Sequence, residues 1–138
     1  MKKVILSIFS VAALSTATLF APVQTGKLVC GRTHHLEKTR STADFDAIIR
    51  ENKKVVVDFY AEWCGPCKKL SPVIDALSKE MNDVVFLKIN VDQHEGLSNK
   101  FGISGIPTLI LFKDGQKVGQ TGAKTKDQLK SYIQATLK

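Results

Sequence analysis

An apolar run at 55–60 ends four residues before the first of two cysteines, Cys64 and Cys67, which lie three positions apart. A short run that is apolar at all but one position is typical of a β-strand buried on both faces. Beyond the cysteines, apolar residues recur with the period of an amphipathic helix, at Leu70, Val73, Ile74, Leu77 and Met81. This pattern predicts an α/β fold in which Cys64 lies where a central strand gives way to a helix.

The rest of the chain also alternates between short apolar runs and amphipathic runs. The predicted elements are a helix that starts at Ser41 or Thr42, strands at 55–60, 84–91, 108–112 and 116–120, and helices at 64–81, 96–101 and 126–137. Asp114-Gly115 is expected to form a tight hairpin turn before the last strand. Strands and helices alternate first and a hairpin follows, which predicts a mixed β-sheet flanked by helices on both faces.

The first 21 residues have the pattern of a signal peptide. A short positive region precedes residues 4–14, which are apolar apart from two serines. Ser15 and Ala17 have the spacing of a signal-peptidase site, and Ala21 is a second candidate for the cut. Because the stretch 4–21 is close to the shortest length that spans a bilayer, a retained membrane anchor is the alternative. A mitochondrial transit peptide is disfavoured, since the apolar stretch is continuous and not amphipathic.

These features divide the chain into three parts. We predict a signal peptide or membrane anchor at 1–21, a linker at 22–40 and one folded domain at 41–138. The domain is expected outside the cytosol, in a bacterial periplasm or anchored in a membrane facing it. A cytoplasmic or organellar location is the alternative.

Positive charge is concentrated before the folded domain. Of the formal net charge of +7, residues 1–40 contribute +5 through six Lys or Arg against Glu37. The domain itself is therefore close to neutral, and no stretch of it combines arginines with interleaved aromatic residues. Because nucleic-acid binding needs a basic face of that kind, we exclude it.

The spacing of Cys64 and Cys67 fits a redox-active dithiol. A cysteine reacts as the thiolate, and a helix N-terminus lowers a thiol pKa because unpaired N–H groups and the helix dipole stabilise the anion, by about 0.3–2 kcal/mol. Cys67 lies one turn later on the same face, where it can donate to the thiolate and then close a disulfide ring. Gly65 and Pro66 keep the loop tight, and proline is tolerated in a first helical turn.

Other roles for the cysteines are weaker. A zinc site needs four ligands, and the remaining candidates form neither a second CxxC nor a usual zinc pairing; they are Cys30, His34, His35 and His94. A purely structural disulfide is disfavoured because so short a loop removes little chain entropy. Cys30 lies in the linker away from any motif, and we expect an incidental thiol, with intermolecular pairing as the alternative.

Three motifs together resemble the thioredoxin family. They are Ala-Glu-Trp-Cys-Gly-Pro-Cys-Lys at 61–68, Asp58 before it, and Gly-Ile-Pro-Thr at 105–108 after it. The likeness extends from about Ser41 to Leu137, which is nearly the whole domain. It implies the thioredoxin fold and the activity of a dithiol–disulfide oxidoreductase.

The resemblance also implies how the cysteines share the chemistry. Cys64 is expected to be the exposed nucleophile and Cys67 the resolving thiol, with the Cys64–Cys67 disulfide as the redox group and no cofactor. Gly65 and Pro66 resemble the reducing members, whereas oxidases and isomerases usually have His before the second cysteine. Thioredoxin is itself a known case of a lowered cysteine pKa, so that trend is not an independent prediction.

Asp58 lies in the middle of the apolar strand, where an ionised carboxylate is costly. One explanation is a core acid with a partner. The other, which the resemblance favours, is a buried acid of raised pKa that relays a proton to or from Cys67. The resemblance further implies that Lys88, in the next strand, pairs with this acid and tunes the site; a solvated Lys at a strand edge is the alternative.

Three residues are expected to form a docking surface for substrates. The resemblance implies a cis bond between Ile106 and Pro107 over the disulfide, which leaves the Ile106 backbone free to pair with an extended segment. An ordinary proline at a strand start is the alternative. Trp63 fits a core position too, but beside a reactive thiol we expect it to shape the docking surface.

The sequence departs from the family in two places. The usual first strand is matched only by the polar stretch 34–38, within which His34–Leu36 is a candidate edge strand. The stretch from Gly115 to Gly122 is one residue short, which leaves the register of the last strand open. Pro72, inside the long helix, is expected to kink it.

The sequence therefore predicts a monomeric protein-disulfide reductase, exported or tethered to a membrane through residues 4–21. Its substrates are disulfides in other proteins, and an upstream dithiol reductase must supply the electrons. In an oxidising compartment that donor has to pass electrons across a membrane. Two alternatives remain: net thiol oxidation or isomerisation by the same cysteines, and a docking or assembly module in which the dithiol is incidental.

Overall fold

Strands and helices alternate along the part of the chain that the computed structural model describes, residues 33–35 and 42–138. In chain order they are β1 (Thr33–His35), α1 (Thr42–Glu51), β2 (Lys54–Tyr60), α2 (Gly65–Glu80), β3 (Val85–Asn90), α3 (Glu95–Lys100), β4 (Thr108–Lys113), β5 (Gln116–Thr121) and α4 (Lys126–Thr136). From α1 onward the predicted bounds agree to within one residue. The predicted signal or anchor at 1–21, most of the linker at 22–40, and Cys30 lie outside the described residues.

The strands form one mixed sheet in the order β1-β3-β2-β4-β5. β1 and β2 both run parallel to β3, whereas β4 runs antiparallel to β2 and to β5. β2 is hydrogen-bonded on both edges, and its five middle residues are buried, as expected of an apolar run. This arrangement confirms the predicted mixed sheet.

Two apolar cores cover the two faces of the sheet, because successive side chains of a strand point to opposite faces. The core under α1 and α3 contains Phe45, Ile48, Ile49, Val55, Val57, Phe59, Val85, Leu87, Ile89, Leu97, Ile110 and Phe112. The core under α2 and α4 contains Val56, Leu70, Ile74, Leu77, Met81, Val84, Phe86, Leu109, Leu111, Leu129, Ile133 and Leu137. The predicted helices on both faces are therefore confirmed, and α2 is fixed on the sheet by its own apolar stripe.

The hairpin between β4 and β5 has the predicted two-residue turn. Asp114 and Gly115 both have positive φ, 49° and 84°, as a tight turn that matches the twist of the strands requires. The register shifts within this hairpin: Leu111 pairs with Gly119 but Phe112 pairs with Lys117. The residue between Lys117 and Gly119 is extra, so a bulge resolves the register that the sequence left open.

β1 is a three-residue edge strand whose backbone pairs in parallel with residues 86–88 of β3. The candidate edge strand His34–Leu36 is thus confirmed with a shift of one residue. Pro72 lies inside α2, as predicted; the kink it was expected to cause stays a prediction.

Candidate active site

The two cysteines lie where β2 gives way to α2. Cys64 is the N-cap residue of α2, and its Sγ accepts a hydrogen bond of 3.2 Å from the backbone N–H of Cys67. Its own backbone N–H donates to the carbonyl oxygen of Ala61, also at 3.2 Å. Pro66 occupies the first turn, where a missing N–H costs nothing. A free N–H of the first helical turn, that of Cys67, is therefore directed at the sulfur of Cys64.

Cys64 and Cys67 are joined by a disulfide with an S–S distance of 2.04 Å and a Cα–Cα distance of 5.3 Å. Each residue is only 4 % exposed. In the disulfide form, Cys64 as a whole residue is therefore buried and not exposed as expected. It is buried because Ala61, Val91 and Ile106 pack around the two cysteines.

The loop before β4 lies against this disulfide. The Ile106–Pro107 peptide bond is cis, as the resemblance implies. Ile106 packs against the cluster of Ala61, Cys64 and Cys67, so the loop and the start of α2 form one continuous surface.

Trp63 is the most exposed large apolar side chain among the described residues, at 70 %. Its indole N–H donates to a carboxylate oxygen of Asp92 at 3.0 Å, and the Asp92 backbone N–H donates to the side-chain oxygen of Asn90 at 3.0 Å. The ring is thus held beside Cys64 by the turn that follows β3. This exposure excludes the core position that the sequence allowed.

Asp58 and Lys88 are neighbours in the register of β2 and β3, and both are buried, at 2 % and 6 % exposure. Both lie on the sheet face covered by α2, since Val56 and Phe86, two residues earlier in each strand, belong to that core. The Lys88 ammonium donates to the hydroxyl of Ser71 on α2 and lies 4.9 Å from the centre of the Tyr60 ring. The alternative of a solvated Lys at an edge is therefore wrong.

The implied ion pair between Asp58 and Lys88 is not formed. Ion pairs between described residues include Lys54–Asp83, Lys100–Asp46, Lys126–Glu80 and Lys130–Glu80, and neither Asp58 nor Lys88 takes part in one of these. Within the described part of the chain, Asp58 Oδ1 is buried without a hydrogen-bond partner. The reason lies in Ser71 and Tyr60, which take up the ammonium of Lys88.

Burial raises the pKa of Asp58 from 3.8 to about 6. Loss of solvation is the main cause, because a buried carboxylate is disfavoured relative to the neutral acid. The positive charge of Lys88 opposes this shift, and the negative charge of Asp75 adds to it. Asp58 can therefore bind and release a proton close to neutral pH.

A cavity of about 280 Å³ opens between α2 and the ends of β2 and β3. It is lined by Tyr60, Ala61, Glu62, Cys67, Lys68, Ser71, Asp75 and Lys88. The structure thus brings Cys67 and Lys88 together at one site. Trp63 and Ile106 are not among the residues that line it.

Sequence reasoning missed Ser71 and Asp75. Both follow Cys67 at intervals of four residues along α2, so they share its face of the helix. A polar row that starts at a reactive cysteine and faces a strand with a buried acid is a signal that the sequence did contain.

Residues 33–35 and 42–138 contain neither a candidate metal site nor a helix that could cross a membrane. In this part of the chain, no three His, Cys, Asp or Glu residues are grouped so as to hold a metal ion. No helix there has the length and apolar character needed to cross a membrane.

Known proteins are similar in sequence to most of this chain. A model of the thioredoxin family matches residues 36–135. The thioredoxin of Chlamydia caviae is 46 % identical over 93 residues, which are 67 % of this chain and 90 % of that protein. The thioredoxin of Mycoplasmoides gallisepticum is 42 % identical over 92 residues, 66 % of this chain and 92 % of that protein.

Solved structures agree with the fold. A mutant thioredoxin from Halobacterium salinarum aligns with a TM-score of 0.72 at 32 % identity, covering 82 % of this chain and 97 % of that chain. The long form of spinach chloroplast thioredoxin F aligns with a TM-score of 0.71 at 31 % identity, covering 80 % and 90 %. Thioredoxins use their own redox-active disulfide and need no cofactor. The chain belongs to the thioredoxin family and is a thioredoxin-type protein-disulfide oxidoreductase.

Proposed function

We propose that this protein is a protein-disulfide reductase that works through Cys64 and Cys67 outside the cytosol, either exported or tethered to a membrane. One observation carries the proposal: Cys64 caps α2, and its Sγ already accepts the N–H of Cys67. The same N–H, together with the helix dipole, stabilises an anionic sulfur once the disulfide is reduced.

The first step uses the dithiol form. The Cys64 thiolate attacks one sulfur of a substrate disulfide, and the other substrate sulfur leaves as a thiolate. The product is a mixed disulfide between Cys64 and the substrate. Because α2 stabilises the anionic form of Cys64, this cysteine and not Cys67 is the attacking group.

The second step releases the substrate. Cys67 loses its proton and attacks the sulfur of Cys64, and the second substrate sulfur leaves as a thiolate. The substrate gains two electrons, and the protein ends with the Cys64–Cys67 disulfide seen in the structure. Asp58 is the proposed acceptor of the Cys67 proton, because it lies under α2 and its pKa is raised to about 6.

Substrates dock beside the disulfide on Trp63, Ile106 and Pro107. The exposed ring of Trp63 supplies apolar contact area, and Asp92 fixes its orientation at low entropic cost. The Ile106 backbone, next to the cysteine cluster, is suited to pair with an extended segment around the substrate disulfide. Gly65, Pro66 and Lys88 are proposed to tune the redox couple.

Electrons reach the protein from another dithiol protein, an upstream reductase. If the protein works in a periplasm, that donor has to carry reducing equivalents across the membrane. The location rests on the pattern of residues 1–21, and a monomer is proposed as the working form.

Serine variants of the cysteines test the reductase activity. We expect Cys64→Ser to lower the reduction of insulin disulfides by dithiothreitol to the uncatalysed rate, because the nucleophile is lost. Cys67→Ser should accumulate a mixed disulfide with the substrate, detectable by mass spectrometry. Cys30→Ser is the matched control and should keep full activity.

The same variants test the alternative of a docking module. Full biological activity of both Cys64→Ser and Cys67→Ser would show that the dithiol is incidental. Loss of activity in Cys30→Ser would instead show that the third cysteine takes part in the exchange.

The reduction potential of the Cys64/Cys67 couple tests the direction of electron flow. We expect a value close to thioredoxin's own, about −270 mV, which is taken over from the family, and far from the roughly −120 mV of a strong dithiol oxidant. Equilibration with glutathione measures it. Pro66→His should make the couple more oxidising; a wild-type potential as oxidising as that of a strong oxidant would reverse the assignment to an oxidase or isomerase.

Asp58→Asn should stabilise the disulfide form in a pH-dependent way. The folded-state pKa of about 6 lies above the ordinary 3.8, so ionising Asp58 weakens the fold. This penalty is absent below about pH 4, grows between pH 4 and pH 6, and is complete above pH 6. We expect a gain of about 3 kcal/mol in the free energy of unfolding at pH 8 and none near pH 4, measured by urea denaturation.

Asp46 on α1 provides the control for this experiment. It is exposed and pairs with Lys100, and such pairs contribute about 0–1 kcal/mol. Asp46→Asn should therefore give no gain that grows above pH 4. A gain from Asp58→Asn that is the same at all pH values would contradict the burial argument.

The mature N-terminus tests the proposed location. Fractionation of the native host, followed by mass analysis, should find the protein outside the cytosol. Its chain should start just after Ala17 or Ala21, or be intact and membrane-bound. An intact chain in the soluble cytosolic fraction would rule out export and tethering alike.

A further inference from the structure

The environment of Lys88 is unusual for a lysine. The side chain is 6 % exposed, so its ammonium needs partners inside the protein. The partners that the structure shows are the hydroxyl of Ser71 and the ring face of Tyr60. Neither partner carries a negative charge at neutral pH.

A carboxylate would be the stronger partner, and one is close. Asp58 is the register neighbour of Lys88 on β2 and lies on the same face of the sheet. Its Oδ1 is nevertheless buried without a hydrogen bond among the described residues. The ammonium is therefore held by a neutral hydroxyl while a neighbouring carboxyl stays unpaired.

We propose that Ser71 is a positioning residue: its hydroxyl holds the Lys88 ammonium away from Asp58 and so keeps the Asp58 carboxyl free to take the proton of Cys67. This inference deepens the proposed function and rests on the proton relay described there. Ser71 and Cys67 lie one turn apart on α2 and line the same cavity, so one helix positions both the lysine and the thiol.

Within the described part of the chain, three charged or titratable groups interact with Asp58. They are Lys88 on β3, Asp75 on α2 and Tyr60 on β2 itself. β4 places Leu109 opposite Asp58, and α4 contributes Leu129 and Ile133 to the core on this face. Once the Ser71 hydroxyl is removed, the carboxylates in this set to which the Lys88 ammonium can turn are those of Asp58 and Asp75.

Carboxyl NMR of the full chain in its disulfide form tests the proposal, because Cys67 does not titrate in that form. In Ser71→Ala the ammonium should turn to Asp58 and favour its anion. We expect the titration midpoint of Asp58 to fall by about one pH unit or more, as an adjacent opposite charge produces. Ser71→Thr keeps the hydroxyl and should restore the wild-type midpoint.

Two controls isolate the effect. Ser131→Ala makes the same change on the exposed face of α4 and should leave the Asp58 titration unchanged. In a Lys88→Met background, Ser71→Ala should have no further effect, since the charge that Ser71 positions is gone. A purely structural role of Ser71 would not depend on Lys88.

A kinetic measurement gives a second readout. The rate at which the reduced protein releases substrate should depend on pH, and the lower of its titration midpoints should shift together with that of Asp58. An Asp58 midpoint that stays constant or rises in Ser71→Ala overturns the proposal, including the case in which Lys88 turns to Asp75. The NMR titration does not require catalysis. Failure of the reductase assay and failure of this inference can therefore be told apart.

Discussion

The position of the first turn of α2 over the sheet determines the chemistry of this protein. Leu70, Ile74 and Leu77 bury the apolar stripe of the helix, and each contributes about 1.5–3 kcal/mol relative to exposure. With the helix fixed in this way, its first turn can only lie at the end of β2. Cys64 therefore receives the free N–H of Cys67 because of packing that takes place further along α2.

The polar groups beneath α2 do not serve fold stability in the way that the apolar core around them does. Asp58, Lys88 and Ser71 interrupt a largely apolar face, and one carboxyl oxygen of Asp58 has no hydrogen-bond partner among the residues that the structure describes. Fold stability alone would favour apolar residues of similar size at these positions. Polar residues inside an apolar core are expected where a protein needs reactivity, and here they cluster next to Cys67.

Most of the fold could be predicted from the sequence, because burial imposes a period on each element. The central strand and α2 follow from their apolar spacing, and the β4–β5 turn follows from Asp114-Gly115, where two positive φ angles are needed. The dithiol was recognisable from its flanking residues. Side-chain partners were not predictable: nothing in the spacing shows that Lys88 binds Ser71 instead of Asp58, or that Trp63 donates to Asp92. Such choices depend on distances of a few ångströms between elements far apart in the chain.

β1 enters the sheet running toward the reactive end. It is parallel to β3, which finishes at Asn90 opposite Tyr60, close to the two sulfurs. Thr33 pairs with Phe86, four residues earlier, and so lies about 13 Å further from that end at about 3.3 Å per residue. The start of β1 is therefore the end of that strand which lies away from the two sulfurs. A domain fused directly to Thr33 would be joined on the side of the sheet remote from the disulfide.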